Sequence, residues 1–205
     1  LIMKKIQDVC ELVSGTPQFR ISESFDENTP VYYFYGQSEI ECDLIGMDLG
    51  VEVRKKVRTF DIVNTVKSGD VIFSLISGKA SLVSAFHSGF LFTQNYIKIV
   101  VPKSIDENFL IYILNENVNI KRQLQTGLQG SMVLKYTIKQ LRELELPKLP
   151  SIEKQKIIGE VYFNQLRLQA LRNRAASTET NIVLEKIKET NYEKSIENLT
   201  ININI

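Results

Sequence analysis

Apolar residues follow two different periods along this chain, mainly a short one up to about residue 101 and mainly a helical one after it. Between residues 31 and 101, runs rich in valine, isoleucine and aromatic residues are separated by glycine-containing turns, a pattern typical of β-strands. The runs predict a strand over 31–36, a strand–turn–strand unit between 51 and 75, and two more strands between 81 and 101. The aromatic run 32–35 fits the core of a sheet better than it fits stacking on bases.

Helical spacing of apolar residues begins after residue 102. Asp106 can cap an amphipathic helix over 106–115, and a second helical stretch covers 118–124. The other predicted elements are a short helix or strand over 4–13, a short strand over 132–136 and a helix that starts at the capping residue Thr137. Together these elements predict an α+β fold, in which a mixed α/β domain over 1–148 precedes one long helix.

A proline-rich passage separates the predicted domain from that helix. Pro147 and Pro150 each exclude the preceding residue from helical geometry, and Ser151 follows as an N-cap residue. Glu153 then lies in the first turn, where the helix dipole favours a negative charge. From residue 152 to about 190 no proline interrupts the sequence, which predicts a helix roughly 58 Å long at about 1.5 Å per residue.

The long helix carries an apolar line. With Val161 as a heptad a position, the next three a positions are also apolar, whereas the d positions are mixed and the line weakens toward the C-terminal end. A dimer interface is predicted at Ile157, Val161, Leu168, Leu171, Ala175 and Ile182. A second apolar face widens this line and contains Ile158, Tyr162, Leu166 and Ile187. The helix therefore either pairs with another long helix, which its length favours, or folds back on its own domain.

Length and composition fit one well-packed domain with an extension. The chain has 205 residues, of which 43% are hydrophobic and 24% charged, as in ordinary globular proteins. No stretch approaches 18 consecutive apolar residues, and the N-terminus lacks a signal-peptide core. We expect a cytoplasmic protein without membrane contact, organised as a domain over 1–148, a spacer and dimerisation helix over 149–190, and a frayed or edge-strand tail over 191–205.

The charge balance bears on nucleic-acid binding. The chain has 25 Lys and Arg against 24 Asp and Glu, so it is not globally basic. A DNA-binding domain normally presents a basic surface, which requires the charges here to be segregated in space. Segregation is supported by a dense basic run over 54–58, while acids gather between 39 and 48 and at 26–27.

Several kinds of chemistry lack support in the sequence. Cys10 and Cys42 are isolated, and the single His87 has no companion at metal-ligand spacing, which argues against a metal site. The same histidine has no indicated nucleophile or acid partner, so a buried or surface structural role is favoured over catalysis. Neither a P-loop nor a GxGxxG motif is present, and cofactor binding by this chain is not expected.

A family resemblance is carried first by the proline-rich passage, Leu144-Glu145-Leu146-Pro147-Lys148-Leu149-Pro150-Ser151-Ile152-Glu153-Lys154-Gln155-Lys156-Ile157. It resembles the end of a target-recognition domain and the start of the conserved helix in specificity (S) subunits of type I restriction-modification systems. Their usual form has a second proline beside Pro150 and a glutamate at the position of Lys154. Further blocks resemble the family in the same order: Gly69-Asp70-Val71-Ile72 with Ser77-Gly78, the segment 93–99, the helix after Asp106, and the glycine-serine loop 127–131.

The resemblance implies a function in sequence-specific DNA recognition. Full-type S subunits carry two recognition domains and two helices that pack antiparallel, so that the assembly reads a bipartite site. This chain carries one of each, which implies a half-size, non-catalytic subunit that homodimerises on an inverted repeat in double-stranded DNA. Methyltransferase (M) and restriction (R) subunits are the implied partners, and they would bring S-adenosylmethionine, ATP and Mg.

The candidate DNA contacts combine cations with amides. Lysine and arginine can neutralise phosphates, while glutamine and asparagine amides can pair in two places with adenine. Gln94 and Asn95 can equally be structural turn residues, and the loop 127–131 can be a plain connector. The predicted contacts are Arg20, Arg54, Lys55, Lys56, Arg58, Lys79, Gln94, Asn95, Gln129, Ser131 and Lys135.

Two other functional classes remain open at this point. A nuclease would need clustered acids with a lysine on adjacent strands, and Glu52-Val53-Arg54 imitates that pattern poorly. The other class is a helical scaffold or interaction protein that uses the long helix to tether other proteins without reading DNA. Selection of binding sites from random duplex DNA separates these classes, because only the favoured one predicts a gapped palindrome.

Overall fold

The fold was analysed in a computed structural model that describes residues 4–48, 54–126 and 135–203, with side chains described as far as residue 190. The chain divides into two compact units, Leu1–Gln165 and Leu166–Ile205. The first unit contains the sheets and the shorter helices, and the second is helical.

Six strands form two antiparallel sheets in the first unit. The strands are β1 (Glu11–Ser14), β2 (Val31–Tyr33), β3 (Lys56–Arg58), β4 (Val71–Ser74), β5 (Ala80–Leu82) and β6 (Tyr96–Val100). The larger sheet has the order β1-β6-β4-β5, and β2 pairs with β3 in a separate ribbon. The larger sheet is the centre of the core, because β4 is buried along its whole length and Ile97 and Ile99 of β6 are buried beside it. The strand–turn–strand unit predicted between 51 and 75 corresponds to β3 and β4, and the two strands predicted between 81 and 101 correspond to β5, which begins at Ala80, and β6.

Five α-helices complete the described chain, and two of them begin at the predicted caps. They are α1 (Gln37–Ile45), α2 (Glu107–Glu116), α3 (Val118–Thr126), α4 (Ile138–Glu143) and α5 (Ile152–Ile203), with 3-10 turns at Ile6–Asp8, Gln18–Arg20 and Ala85–His87. The Asp106 carboxylate accepts a hydrogen bond from the Phe109 amide at 3.0 Å, and the Thr137 hydroxyl accepts one from the Gln140 amide at 3.1 Å. Both side chains satisfy an amide that the first turn leaves unpaired.

Helix α1 was not predicted from the sequence. Its nine residues have a poorly segregated apolar face and include Glu39, Glu41 and Asp43, three of the acids that gather between residues 39 and 48. The informative signal was the pair of flanking glycines. Gly36 holds the N-cap position, and Gly46 ends the helix in the left-handed region at φ 62°.

Helix α5 is longer than predicted. It extends to Ile203, so the expected tail over 191–205 is helical through most of its length. Neither proline nor glycine occurs after Gly159, and without such a residue the polar segment after Thr190 has nothing that would stop the helix. The predicted short strand over 132–136 lies mostly outside the described residues, and Lys135 and Tyr136 adopt no regular structure.

The first turns of α5 pack against α2 within the first unit. The buried Gln155 side chain accepts a hydrogen bond from the Asp106 amide at 3.0 Å and donates one to the Pro150 carbonyl at 2.9 Å. Farther along α5, Asn115 donates to the Tyr162 hydroxyl at 3.2 Å, and burial raises the pKa of Tyr162 to about 12. These contacts fix the start of α5 on the rest of the first unit.

Gly159 permits this close packing. A Cβ atom there would lie 2.6 Å from Cβ of Asn108 and 2.7 Å from the Phe109 amide nitrogen. We expect Gly159→Val to lower the free energy of unfolding by about 1–3 kcal/mol, the usual cost of forcing extra atoms into a packed contact. Urea denaturation measures the change. Glu160→Ala, at an exposed position next in the helix, is the matched control, and equal stability of the two variants would contradict this packing.

A membrane-spanning segment is not found in the parts of the chain that the structure describes. None of their helices combines the length and the apolar character needed to cross a bilayer.

Candidate nucleic-acid interface

Three loops meet at one end of the larger sheet. Strands β1 and β4 end where β6 begins, because Ser14 pairs with Ile97 and Ser74 pairs with Tyr96. The same end of the sheet therefore carries three loops: the segment after β1, the turn after β4 and the segment before β6. Such a cluster of loops on a rigid sheet is where binding residues concentrate in many folds.

Arg20, Lys79, Gln94 and Asn95 all lie in these three loops. Arg20 ends the 3-10 turn after β1, and Lys79 closes the turn after β4, where its carbonyl accepts from the Ser74 amide at 2.8 Å. Both cationic side chains are exposed. Gln94 connects two of the loops, since its side-chain oxygen accepts a hydrogen bond from the Gln18 amide at 2.6 Å. That bond uses the oxygen of Gln94 and leaves its amino group for a ligand.

Lys135 joins this loop cluster from a distant part of the sequence. Its ammonium group donates to the side-chain oxygen of Asn95, whose backbone carbonyl accepts from the Leu75 amide at 2.8 Å. The Tyr136 amide in turn donates to the Leu75 carbonyl at 2.8 Å. Gly78 (φ +70°) accommodates this arrangement, because a Cβ atom there would lie 2.5 Å from the Tyr136 ring. The predicted contacts Gln129 and Ser131 lie outside the described residues.

Arg54 and Lys55 line a cleft beside the loop cluster. The cleft encloses about 340 Å³ and is lined by Gln18, Phe34, Tyr35, Gly36, Gln37, Ser38, Glu39, Arg54, Lys55, Thr93, Asn95 and Tyr96. A guanidinium nitrogen of Arg54 lies 3.2 Å from the Asp48 carboxylate, and its Nε lies 4.0 Å from the Glu39 carboxylate. The Lys55 ammonium lies 4.8 Å from the centroid of the Phe34 ring, close enough for a cation–π contact. We refer to this space as the Arg54 cleft.

Lys56 and Arg58 lie on the separate ribbon of β2 and β3. They pair with Tyr33 and Val31 of β2, and both are exposed, whereas Val57 between them is buried. The alternation puts both cations on one face of the ribbon. Among the described residues, neither takes part in an ion pair, and the same holds for Arg20, Lys55 and Lys79.

A buried polar network supports the floor of the Arg54 cleft. The Tyr35 hydroxyl donates to the Asp43 carboxylate at 2.7 Å and lies 2.9 Å from the Ser81 hydroxyl. His87 Nδ1 lies 2.8 Å from the other oxygen of Asp43, and burial raises the pKa of Tyr35 well above its usual value. Ser81 bonds Tyr35 rather than the histidine. The Ser84 hydroxyl lies 3.4 Å from His87 Nδ1, the same nitrogen that lies 2.8 Å from Asp43. His87 is thus buried, one of the two structural positions expected for it.

Sequence reasoning did not find Gln18, Phe34, Gln37 or Glu39 as parts of this surface. Helix α1 brings in the last two, and that helix was itself missed. The pKa of Tyr96, another lining residue, is raised by burial and by the nearby Glu39 carboxylate. In the described part of the chain, no three His, Cys, Asp or Glu side chains come together as a metal site would require.

Similarity to known proteins extends over most of the chain. Residues 2–177 match the family model described as the type I restriction modification DNA specificity domain. No curated protein matches the chain. Among solved structures, the HsdS subunit from Thermoanaerobacter tengcongensis aligns with a TM-score of 0.54 at 18% identity, covering 85% of this chain and 39% of that one.

A second solved structure aligns with a TM-score of 0.59 at 18% identity. It is described as showing the structural basis of complex assembly and conformational transition of the type I R-M system. The match covers 91% of this chain and 43% of that one. The present chain thus spans about two fifths of the length of the structures it resembles, and at this identity the likeness establishes the fold.

Proposed function

This chain belongs to the type I restriction modification DNA specificity domain family, and from that membership we propose that it reads one half of a bipartite DNA target as part of a homodimer. The observation that carries the proposal is the convergence of Arg20, Lys79, Gln94, Asn95 and Lys135 on one end of the sheet. These residues come from four separate stretches of the sequence, and each carries a cation or an amide that can contact nucleic acid.

The loop cluster and the ribbon would contact different parts of the DNA. Exposed cations such as Lys56, Arg58 and Lys79 would contact phosphates, which gives affinity without sequence information and makes binding sensitive to salt. The amides of Gln94 and Asn95 would contact base edges, where donors and acceptors distinguish one base pair from another. Lys135 positions Asn95 for that contact through its hydrogen bond.

The apolar line on α5 supports pairing with a second copy. Within the first unit, Ile157 and Val161 are 61% and 63% exposed, and within the second unit Leu168, Leu171 and Ile182 are between 41% and 48% exposed. Ala175 is exposed as well. A repeated apolar seam open to water on a long helix is what a partner helix covers in a coiled coil. Two-fold pairing would place two recognition units on one duplex and impose an inverted repeat with a fixed gap.

Catalysis would come from partner subunits. The family resemblance implies an M subunit that methylates adenine with S-adenosylmethionine and an R subunit that uses ATP and Mg to translocate and cut. In this proposal the present chain supplies DNA specificity and a docking platform for those subunits, and no catalytic residue is assigned to it.

Selection of bound sequences from a pool of random duplex DNA tests the proposal. We expect the purified 205-residue chain to recover a gapped palindrome, because a symmetric dimer reads the same half-site twice in opposite directions. Recovery of sequences without any shared motif would overturn DNA reading and favour the scaffold alternative. Recovery of a single ungapped half-site would retain DNA reading and overturn the homodimer.

A further inference from the structure

An exposed phenylalanine lies within the loop cluster. Phe19 is the middle residue of the 3-10 turn after β1, and its side chain is 82% exposed. The guanidinium carbon of Arg20 lies 5.7 Å from the centroid of the ring and still leaves most of the ring open to solvent. A single apolar side chain on a protein surface is common and needs no function. The surroundings of the ring therefore decide what it can bind.

The turn that carries Phe19 is held in place. Pro17 precedes it with a φ of −58°, which the proline ring fixes. The Gln18 amide donates to the side-chain oxygen of Gln94 at 2.6 Å, and the Arg20 amide donates to the Pro17 carbonyl at 2.9 Å. A ring on such a turn is already positioned when it meets a ligand, which lowers the ordering cost of binding.

The groups next to Phe19 are suited to nucleic acid. Arg20 follows it in the sequence, and Gln94 is bonded to the same turn. Asn95 comes next to Gln94 and is bonded by the Lys135 ammonium. Cations contact phosphates and side-chain amides contact base edges, so these neighbours favour DNA as the ligand of the ring.

Phe25 provides a contrast on the same segment. Its side chain is 93% exposed, which makes it at least as open as Phe19. Its neighbours include Glu23, Asp26 and Glu27, and all three acids are exposed. Carboxylates repel phosphates, so an aromatic ring among them is poorly placed to approach DNA. The two phenylalanines thus differ in the charge around them rather than in exposure.

An apolar side chain that is held beside DNA-binding cations can act as a wedge. Phenylalanine inserted between two base pairs partly unstacks them and bends the duplex by about 20–90°, at a cost of a few kcal/mol per step. Pyrimidine–purine steps, which are TA and CA/TG, unstack most easily, whereas A-tracts are stiff. A wedge therefore selects a flexible step without forming any hydrogen bond to it.

We propose that Phe19 inserts between two adjacent base pairs of the half-site and bends the duplex there, and that these pairs form a pyrimidine–purine step. Both base pairs remain in the duplex, and Arg20 contacts a phosphate beside the opened step. This inference rests on the proposed function, because the loop cluster has to engage the DNA before the ring can enter it. It adds a residue that reads the flexibility of the DNA to residues that read its base edges.

Energy transfer between dyes at the two ends of a duplex measures the bend. A duplex with a single half-site is used at saturating protein, so that the bends of two half-sites cannot cancel. We expect the 205-residue chain to bend this duplex by about 20° or more. Phe19→Ala should remove most of the bend and weaken binding about tenfold, which corresponds to about 1.4 kcal/mol.

Two further variants separate a wedge from a general effect of the substitution. Phe19→Leu keeps an apolar side chain of the kind that can enter a base step, so it should retain the bend. Phe25→Ala removes an equally exposed ring and should bend the DNA like the parent. Circular dichroism verifies that each variant is folded, and Phe19→Ser replaces Phe19→Ala if the latter does not fold.

A change in the DNA completes the test. Replacing the selected pyrimidine–purine step by AA should weaken binding of the parent and of Phe25→Ala about tenfold, whereas Phe19→Ala should bind both duplexes alike. An unbent target, or equal bending by the parent and Phe19→Ala, would overturn the wedge and leave the proposed function standing. A selected half-site without a pyrimidine–purine step would overturn it as well. Absence of specific binding by the parent would instead overturn the proposed function.

Discussion

Replacement of Leu168 and Leu171 together by glutamate should convert the proposed dimer into a monomer and lower its affinity for the gapped inverted repeat by a factor of about 100 or more. Linked binding sites gain about 10²- to 10⁴-fold over single sites, and that gain disappears when the link is broken. The substitution places charges of the same sign on the seam of each helix, where a paired helix would bury them without partners. Light scattering reports the mass, and a titration with labelled duplex reports the affinity.

The control for this result is Gln169→Glu with Asn173→Glu, which adds the same charge on the face of the helix away from the seam. That variant should remain dimeric and bind like the parent. Affinity for a duplex with a single half-site should be equal in all three proteins, because the recognition unit is unaltered. If the parent chain is itself a monomer at the concentrations used for binding, the seam has no partner in solution and the homodimer has to be abandoned.

The accuracy of the sequence predictions depended on whether the determining interactions were local. Asp106 and Thr137 each cap an amide three residues away, so the helices that they start could be recognised from short stretches of sequence. The proline passage likewise fixed the start of α5 at Ile152. Helix α1 was missed because its apolar face is poorly segregated, and because one of its acids, Asp43, is buried against His87, which lies 44 positions away in the sequence.

The candidate DNA-binding surface likewise depends on interactions between residues that are distant in the sequence. The sequence shows that Gln94 and Asn95 are polar residues next to a predicted strand, but the hydrogen bond from Lys135 to Asn95 spans 40 positions. The bonds that connect Tyr35 to Asp43 and Ser81 depend on how α1 packs on the sheet. The sequence alone could therefore predict candidate residues for the surface. Their grouping into a loop cluster and a cleft could be seen only in the three-dimensional structure.

Charge reversal on the ribbon tests whether DNA lies along it. Lys56→Glu combined with Arg58→Glu should weaken binding to specific and random duplexes by the same factor, about 100-fold at low salt, because phosphate contacts carry no sequence information. If each residue contacts one phosphate, loss of both contacts should reduce the slope of log affinity against log salt by about 1.8, since each neutralised phosphate contributes about 0.9. Fluorescence anisotropy over a salt series gives both quantities.

The matched control is Lys103→Glu with Arg122→Glu, an identical change of charge at exposed positions on another part of the same unit. Lys103 follows the far end of β6 and Arg122 lies on α3, so neither belongs to the loop cluster or the ribbon. A general effect of net charge would weaken both variants equally, whereas contact with phosphates weakens only the ribbon variant and changes its salt slope. An unchanged slope in the ribbon variant would remove Lys56 and Arg58 from the interface and confine DNA to the loop cluster at the end of the sheet.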